Sequence, residues 1–162
     1  MTNNTPTLRF VIGHPAHFFA FGFGAGLSPY APGTVGTLVA FPLFFLLRGL
    51  DPVIYFSLVA VLYAAGIWFC EVAGKSLGVS DHGGIVWDEI VAFLLVLHFS
   101  PPTLLGYALA FGLFRLFDIW KPFPIRYADQ RIHGGFGVMF DDLLAAIYAV
   151  AGLLLLVRWG VI

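Results

Sequence analysis

Charge is scarce in this chain. Asp, Glu, Lys and Arg make up 10% of its 162 residues, while hydrophobic residues make up 60%. A soluble domain carries roughly 25% charged residues. So few polar groups cannot clothe the molecule in water, and lipid is expected to solvate much of its surface. The balance of sign is equally thin. A formal net charge of -1 offers no basic face, which argues against a nucleic-acid partner. Cysteine is nearly absent. Cys70 stands alone, so a disulfide within the chain and a cysteine-rich metal site are both excluded. Residues 1–17 hold Asn3, Asn4, two prolines and one basic residue, and do not read as a cleavable signal peptide. Targeting is therefore expected to rest with the apolar segments. The length suits one domain, read here as a single membrane-embedded unit over 1–162.

Long apolar runs are what the sequence has instead. They cover 35–48, 53–70, 85–117 and 143–159. The third is too long for one simple span and is broken by Ser100-Pro101-Pro102. A proline pair interrupts helical hydrogen bonding, so this run predicts a hairpin of 85–99 and 103–117. The expected fold is all-α: a polytopic membrane bundle of about five helices. Several runs fall short of the ~20 residues of a usual span, which tilt or local thinning can accommodate. Residues 18–27, short and glycine-rich, are expected to lie at the interface or re-enter the membrane.

Threading these helices back and forth sorts the charges. Glu71, Asp81, Asp88, Glu89, Asp118, Asp129, Asp141 and Asp142 fall on one side, and Asp51 falls on the other. Arg9, Lys75, Arg115, Lys121, Arg126 and Arg131 accompany the acids; Arg48 and Arg158 lie opposite. The positive-inside rule makes the acid-rich side cytoplasmic.

Three polar clusters supply that side. Ser28 to Thr37 is a Gly/Pro-rich loop before a helix, where backbone amides can cradle an anion. Its plain alternative is a turn with Thr34 as N-cap. Asp81-His82-Gly83-Gly84 leads to Asp88-Glu89, which run straight into an apolar helix. Ionisable groups there are functional candidates, although headgroup exposure at a helix start would also suit them. The third cluster joins Arg115, Asp118, Lys121, Arg126 and Asp129 to His133, Asp141 and Asp142. Arg115 and Asp118 share a helix face, and a simple ion pair would account for them. Asp141 would serve as a helix cap. The plain readings must all hold at once on one membrane face, and that coincidence favours a site.

Carboxylate oxygens suit a hard divalent cation such as magnesium, which usually takes a few carboxylates plus substrate phosphate. Arginine and lysine beside them can hold phosphate oxygens. Together these groups point to phosphate-ester chemistry on a lipid. Other phosphatase chemistries lack their signatures. Position 76, where a Cys-x5-Arg loop starting at Cys70 needs arginine, is Ser76. An Asp-x-Asp pair, a Pro-Ser-Gly-His element and an Asp-Gly-x2-Ala-Arg signature are also missing.

Four blocks carry a family resemblance: GFGAGLSPYAPGTVGTL (22–38), GVSDHGGIVWDE (78–89), FRLFDIWKPFPIRYAD (114–129) and HGGFGVMFDD (133–142). On them the chain, from about His17 to Ala149, resembles phosphatidylglycerophosphatase A, a bacterial inner-membrane family of phospholipid synthesis. The resemblance implies hydrolysis of phosphatidylglycerophosphate to phosphatidylglycerol and phosphate, with magnesium required. It carries Asp81, Asp88, Glu89, Arg115, Asp118, Lys121, Asp129, Asp141 and Asp142 onto family motif positions.

The expected roles follow from both lines of reasoning. Asp88, Glu89, Asp118, Asp141 and Asp142 are candidate magnesium ligands, and Asp88, Glu89, Asp118 and Asp142 also candidates for activating water. Arg115, Lys121 and Arg126 would hold the phosphate. Asp81, His82, Asp129, His133 and Thr34 are second-rank candidates. His98 falls on the opposite side and is excluded. Direct attack by water on phosphorus is the default, with an aspartyl phosphoenzyme as the alternative. The rival readings are a phosphatase for another lipid phosphate, such as phosphatidic acid, and a non-catalytic cation carrier.

Overall fold

The computed structural model describes residues 6–162; Asn3 and Asn4 of the polar N-terminal stretch lie outside them. The described residues are all-helical. The chain forms α1 (Leu8–Ile12), α2 (Pro15–Ala20), a 3-10 segment (Gly22–Leu27), α3 (Pro32–Leu47), α4 (Pro52–Leu77), α5 (Trp87–Phe99), α6 (Leu104–Trp120), α7 (Ile125–Arg131) and α8 (Gly134–Arg158). The expectation of about five helices is thus exceeded. The additional elements are one or two turns long, too short for a periodic pattern to reveal them.

Helix boundaries follow local chemistry. Asp51 accepts from Val53 N at 2.8 Å and starts α4, with Pro52 in the first turn, where its missing N–H costs nothing. Thr103 accepts from Gly106 N at 3.0 Å and starts α6, just beyond the proline pair. The beginning of α8 is different. The sequence places this helix from residue 143, whereas it begins at Gly134. His133 at its N-cap makes no side-chain cap. Instead Glu71, from α4, accepts from Gly135 N at 2.6 Å. A cap supplied from another helix leaves no local signal.

Among the described residues two helices, α4 and α8, are long and apolar enough to cross a membrane, and an 18-residue stretch of each has a mean hydropathy of 2.1. The shorter α5 is the central element. Nine of its thirteen residues are buried, including Ile90, Phe93, Leu94 and Leu97. A helix that is apolar on every side belongs inside a bundle. Close crossing of α4, α5 and α8 depends on Gly66. A Cβ there would lie 2.7 Å from both Met139 Sδ and Trp87 Cδ1, and small residues are what let helix backbones approach closely.

Successive long helices alternate in direction. Tyr55 near the start of α4 donates to Leu94 O at 2.8 Å and its ring lies 4.7 Å from that of His98 in α5. At the opposite end, the start of α5, the end of α6 and the first half of α8 converge. The segment 18–27 folds as α2 and the 3-10 turn. It packs on the 82–86 loop, where Val86 N donates to Ala20 O at 2.9 Å.

Candidate active site

Each acidic cluster reaches the same end of the bundle by its own route. Asp88 and Glu89 occupy the first turn of α5. Asp118 lies in the last turn of α6. Asp141 and Asp142 lie inside α8, about 12 Å from its start by the helical rise. They therefore cap nothing, contrary to the simple reading of Asp141. Asp88, Asp141 and Asp142 are buried.

One carboxylate oxygen from each of Glu89, Asp118 and Asp142 lies within 4.8 Å of the others. Arg115 stands over this trio. Its Nη1 donates to Glu89 Oε1 at 2.8 Å and pairs with Asp118 Oδ2 at 2.6 Å. The same nitrogen lies 3.5 Å from Thr37 Oγ1, and the Thr37 hydroxyl donates to Gly33 O at 2.9 Å. Gly33 is required by this approach: a Cβ there would fall 2.1 Å from Glu89 Oε1. The glycine-rich loop thus makes room for a carboxylate as α3 begins.

A second network lies beside the first. Lys121 donates to Asp129 Oδ1 at 2.8 Å and to Asp141 Oδ2. Burial alone would lower the Lys121 pKa, but the Asp141 and Asp129 carboxylates outweigh it and hold the ammonium above its ordinary value. Lys121 has φ +45° and ends α6, turning the chain so that its side chain can reach α7 and α8.

The balance of charge and hydrogen bonding is incomplete. Asp88, Glu89, Asp118, Asp129, Asp141 and Asp142 offer six carboxylates against two cations, Arg115 and Lys121, so full ionisation leaves four unbalanced negative charges. Asp88 Oδ1, Glu89 Oε2, Asp141 Oδ1 and Asp142 Oδ2 are buried without a hydrogen-bond partner. Uncompensated buried carboxylates cost several kcal/mol each. An all-oxygen donor set with spare lone pairs fits a hard divalent cation, which would offset that cost.

The remaining sequence candidates are distributed more widely. Asp81, Asp129 and His133 line a small cavity of about 40 Å³ next to the Lys121 network. His82 accepts from Gly84 N at 3.0 Å and shapes its own loop. Thr34 is not a cap: the N-cap of α3 is Ala31, with φ +44°. Arg115 and Lys121, expected to hold phosphate, pair with carboxylates in this structure. Arg126 is exposed and makes no ion pair among the described residues. Three residues near these networks were assigned no role by the sequence. Thr37 was signalled by its place one turn after Gly33. Tyr63, inside an apolar run, is half-buried, but its hydroxyl oxygen is buried without a partner, and Asp141 and Asp142 are its charged neighbours. Glu71 had no usable signal for its role, since its partner Gly135 is distant in sequence.

Residues 18–157 match the family described as Phosphatidylglycerophosphatase A. A Haemophilus influenzae protein named Phosphatidylglycerophosphatase A is 44% identical over 161 residues, covering 98% of this chain and 99% of its own. An Escherichia coli protein of the same name is 41% identical over 147 residues, 90% of this chain and 85% of its own. A Bacteroides thetaiotaomicron protein, provisionally named a phosphatidylinositol-3-phosphatase, is 38% identical over 146 residues, 85% of this chain and 90% of its own. No solved structure matches the chain.

Proposed function

We infer that this chain, which belongs to the phosphatidylglycerophosphatase A family, hydrolyses phosphatidylglycerophosphate to phosphatidylglycerol and inorganic phosphate. The observation that carries the assignment to this site is the convergence of Glu89, Asp118 and Asp142 beneath Arg115. Glu89, Asp118 and Asp142 would hold magnesium, with Asp88 and Asp141 able to add ligands from their unpartnered oxygens. When bound, the ion would offset negative charge on the phosphate and lower the pKa of water.

The chain's own residues supply the rest. Arg115 orients Glu89 and Asp118 and can donate to a phosphoryl oxygen. Lys121 fixes Asp141 in the same way. A water oxygen forms the new bond to phosphorus while the bond to the glycerol oxygen breaks. A carboxylate takes the proton from the attacking water and, as a carboxylic acid, returns it to the leaving glycerol oxygen to give the lipid alcohol. Asp88 is suited to the proton transfer because it is buried next to the trio and one of its oxygens is unpartnered.

The membrane arrangement is part of the same reading. The apolar helices span the bacterial inner membrane as a polytopic bundle, and the acid-rich end faces the cytoplasm, as the basic residues around it favour. A second reading, hydrolysis of another lipid monophosphate, draws on the Bacteroides relative and on an acidic site that encodes metal chemistry more than headgroup identity. Phosphate release from phosphatidylglycerophosphate in detergent micelles tests both. We expect release to stop with chelator and return with added magnesium. Release indifferent to chelator would remove the metal from the proposal. Release from phosphatidic acid or a phosphoinositide, but not from phosphatidylglycerophosphate, would establish the second reading.

A further inference from the structure

Beyond the acidic trio, the connection from α6 to α7 forms an open groove of about 430 Å³, lined by Trp120, Lys121, Phe123, Arg126 and Tyr127 among others. Its rim is apolar and unusually exposed. Trp120 is 60% exposed, Phe123 80% and Tyr127 54%. Trp120 and Tyr127, aromatic rings with polar tips, suit the headgroup level of a bilayer. The groove is firmly placed, because Tyr148 of α8 donates to Phe123 O at 2.9 Å. Lys121 links it to the site, since it lines the groove and also pairs with Asp129 and Asp141.

The cations around the site differ in one respect. Arg115 and Lys121 are committed to carboxylates, whereas Arg126 faces the groove with no carboxylate in ion-pair range among the described residues. An apolar trough lined by a guanidinium with no carboxylate partner, that of Arg126, complements a lipid that carries a negative charge just above its acyl chains. Phosphatidylglycerophosphate has two phosphates, a phosphodiester next to the diacylglycerol and the terminal phosphomonoester that is cleaved. We propose that the groove receives the phosphodiester, the phosphate that stays with the product, and that Arg126 is its donor. This assignment rests on the lipid-phosphatase reading and gives it a source of headgroup specificity. Phosphatidic acid has only the phosphate to be cleaved, so it cannot fill both places.

Short-chain phosphatidylglycerol tests the groove alone, because it keeps the phosphodiester and has no phosphomonoester. Its binding would be measured by calorimetry on detergent-solubilised wild type, Arg126→Gln and Arg126→Lys. Loss of one charge-assisted hydrogen bond predicts binding weaker by about tenfold or more in Arg126→Gln. Lysine keeps the charge but not the fork, so Arg126→Lys should lose less. Equal binding by all three overturns the proposal. In turnover, Arg126→Gln should raise KM for phosphatidylglycerophosphate by a similar factor with little change in kcat. The preference for that lipid over phosphatidic acid should fall to match. A fall in kcat at unchanged KM, or equal losses on both lipids, overturns the proposal, because Arg126 would then act on the cleaved phosphate or as a general charge. Arg126-dependent binding in a protein that hydrolyses no lipid phosphate would support the groove and remove the hydrolase reading instead.

Discussion

The two ends of the bundle are built from the same helices and treat polar groups in opposite ways. At the end where α4 begins and α5 finishes, Tyr55 is 1% exposed and its hydroxyl is satisfied by Leu94 O. Phe56 and His98 pack edge to face beside it, with ring centroids 4.6 Å apart. At the other end Asp88, Glu89, Asp141, Asp142 and Arg115 each keep a buried polar atom without a partner. One end is packed for stability. The other holds buried carboxylates whose electrostatic cost a bound cation or protonation would relieve, which is what the proposed site requires and a packed core avoids.

The largest expected effect comes from removing that stored charge. Asp142→Asn should lower phosphate release by about 10²–10³-fold, the scale of losing one group that acts on developing charge. Its melting temperature in chelator should stay level or rise, because a buried unpaired carboxylate has been neutralised. A variant that loses activity by unfolding would instead erase the contrast between the ends. Gly33→Ala is next. The added methyl would displace Glu89, and displacements near 1 Å can cost about 10²-fold. Activity should fall by roughly that factor while circular dichroism remains that of the wild type. The smallest change addresses the packed end. Tyr55→Phe should cost about 1 kcal/mol of stability, the worth of one hydrogen bond, with phosphate release within about twofold of wild type. A large loss of activity there would show that the ends are coupled.

Local spacing located the acids that converge in the structure more closely than it located the helix boundaries. Asp88-Glu89 ahead of an apolar run, and Arg115 three residues before Asp118, mark their chemistry through local spacing. The break at Ser100-Pro101-Pro102 falls where α5 and α6 are separated, because proline acts on its own neighbours. The start of α8 was missed by nine residues, since its cap is Glu71 from α4. The Arg115–Asp118 pair was legible as an ion pair from its three-residue spacing, whereas the partners of Arg115 and Lys121 on other helices were not. Their commitment to Glu89, Asp118, Asp129 and Asp141 is made mostly across helices.

What the sequence determined by itself was the chemical inventory and its sidedness: an apolar chain, acids gathered toward alternate helix ends, and four ordered blocks of one family. These are properties of composition and order along the chain, which need no contacts to be expressed. The tertiary structure alone decided which carboxylates meet and which cations are committed. It brought Glu89, Asp118 and Asp142 together from three helices and left Arg126 at a groove edge. Such choices depend on helix crossings set by residues such as Gly66, where close approach is decided by distant side chains rather than by sequence neighbours.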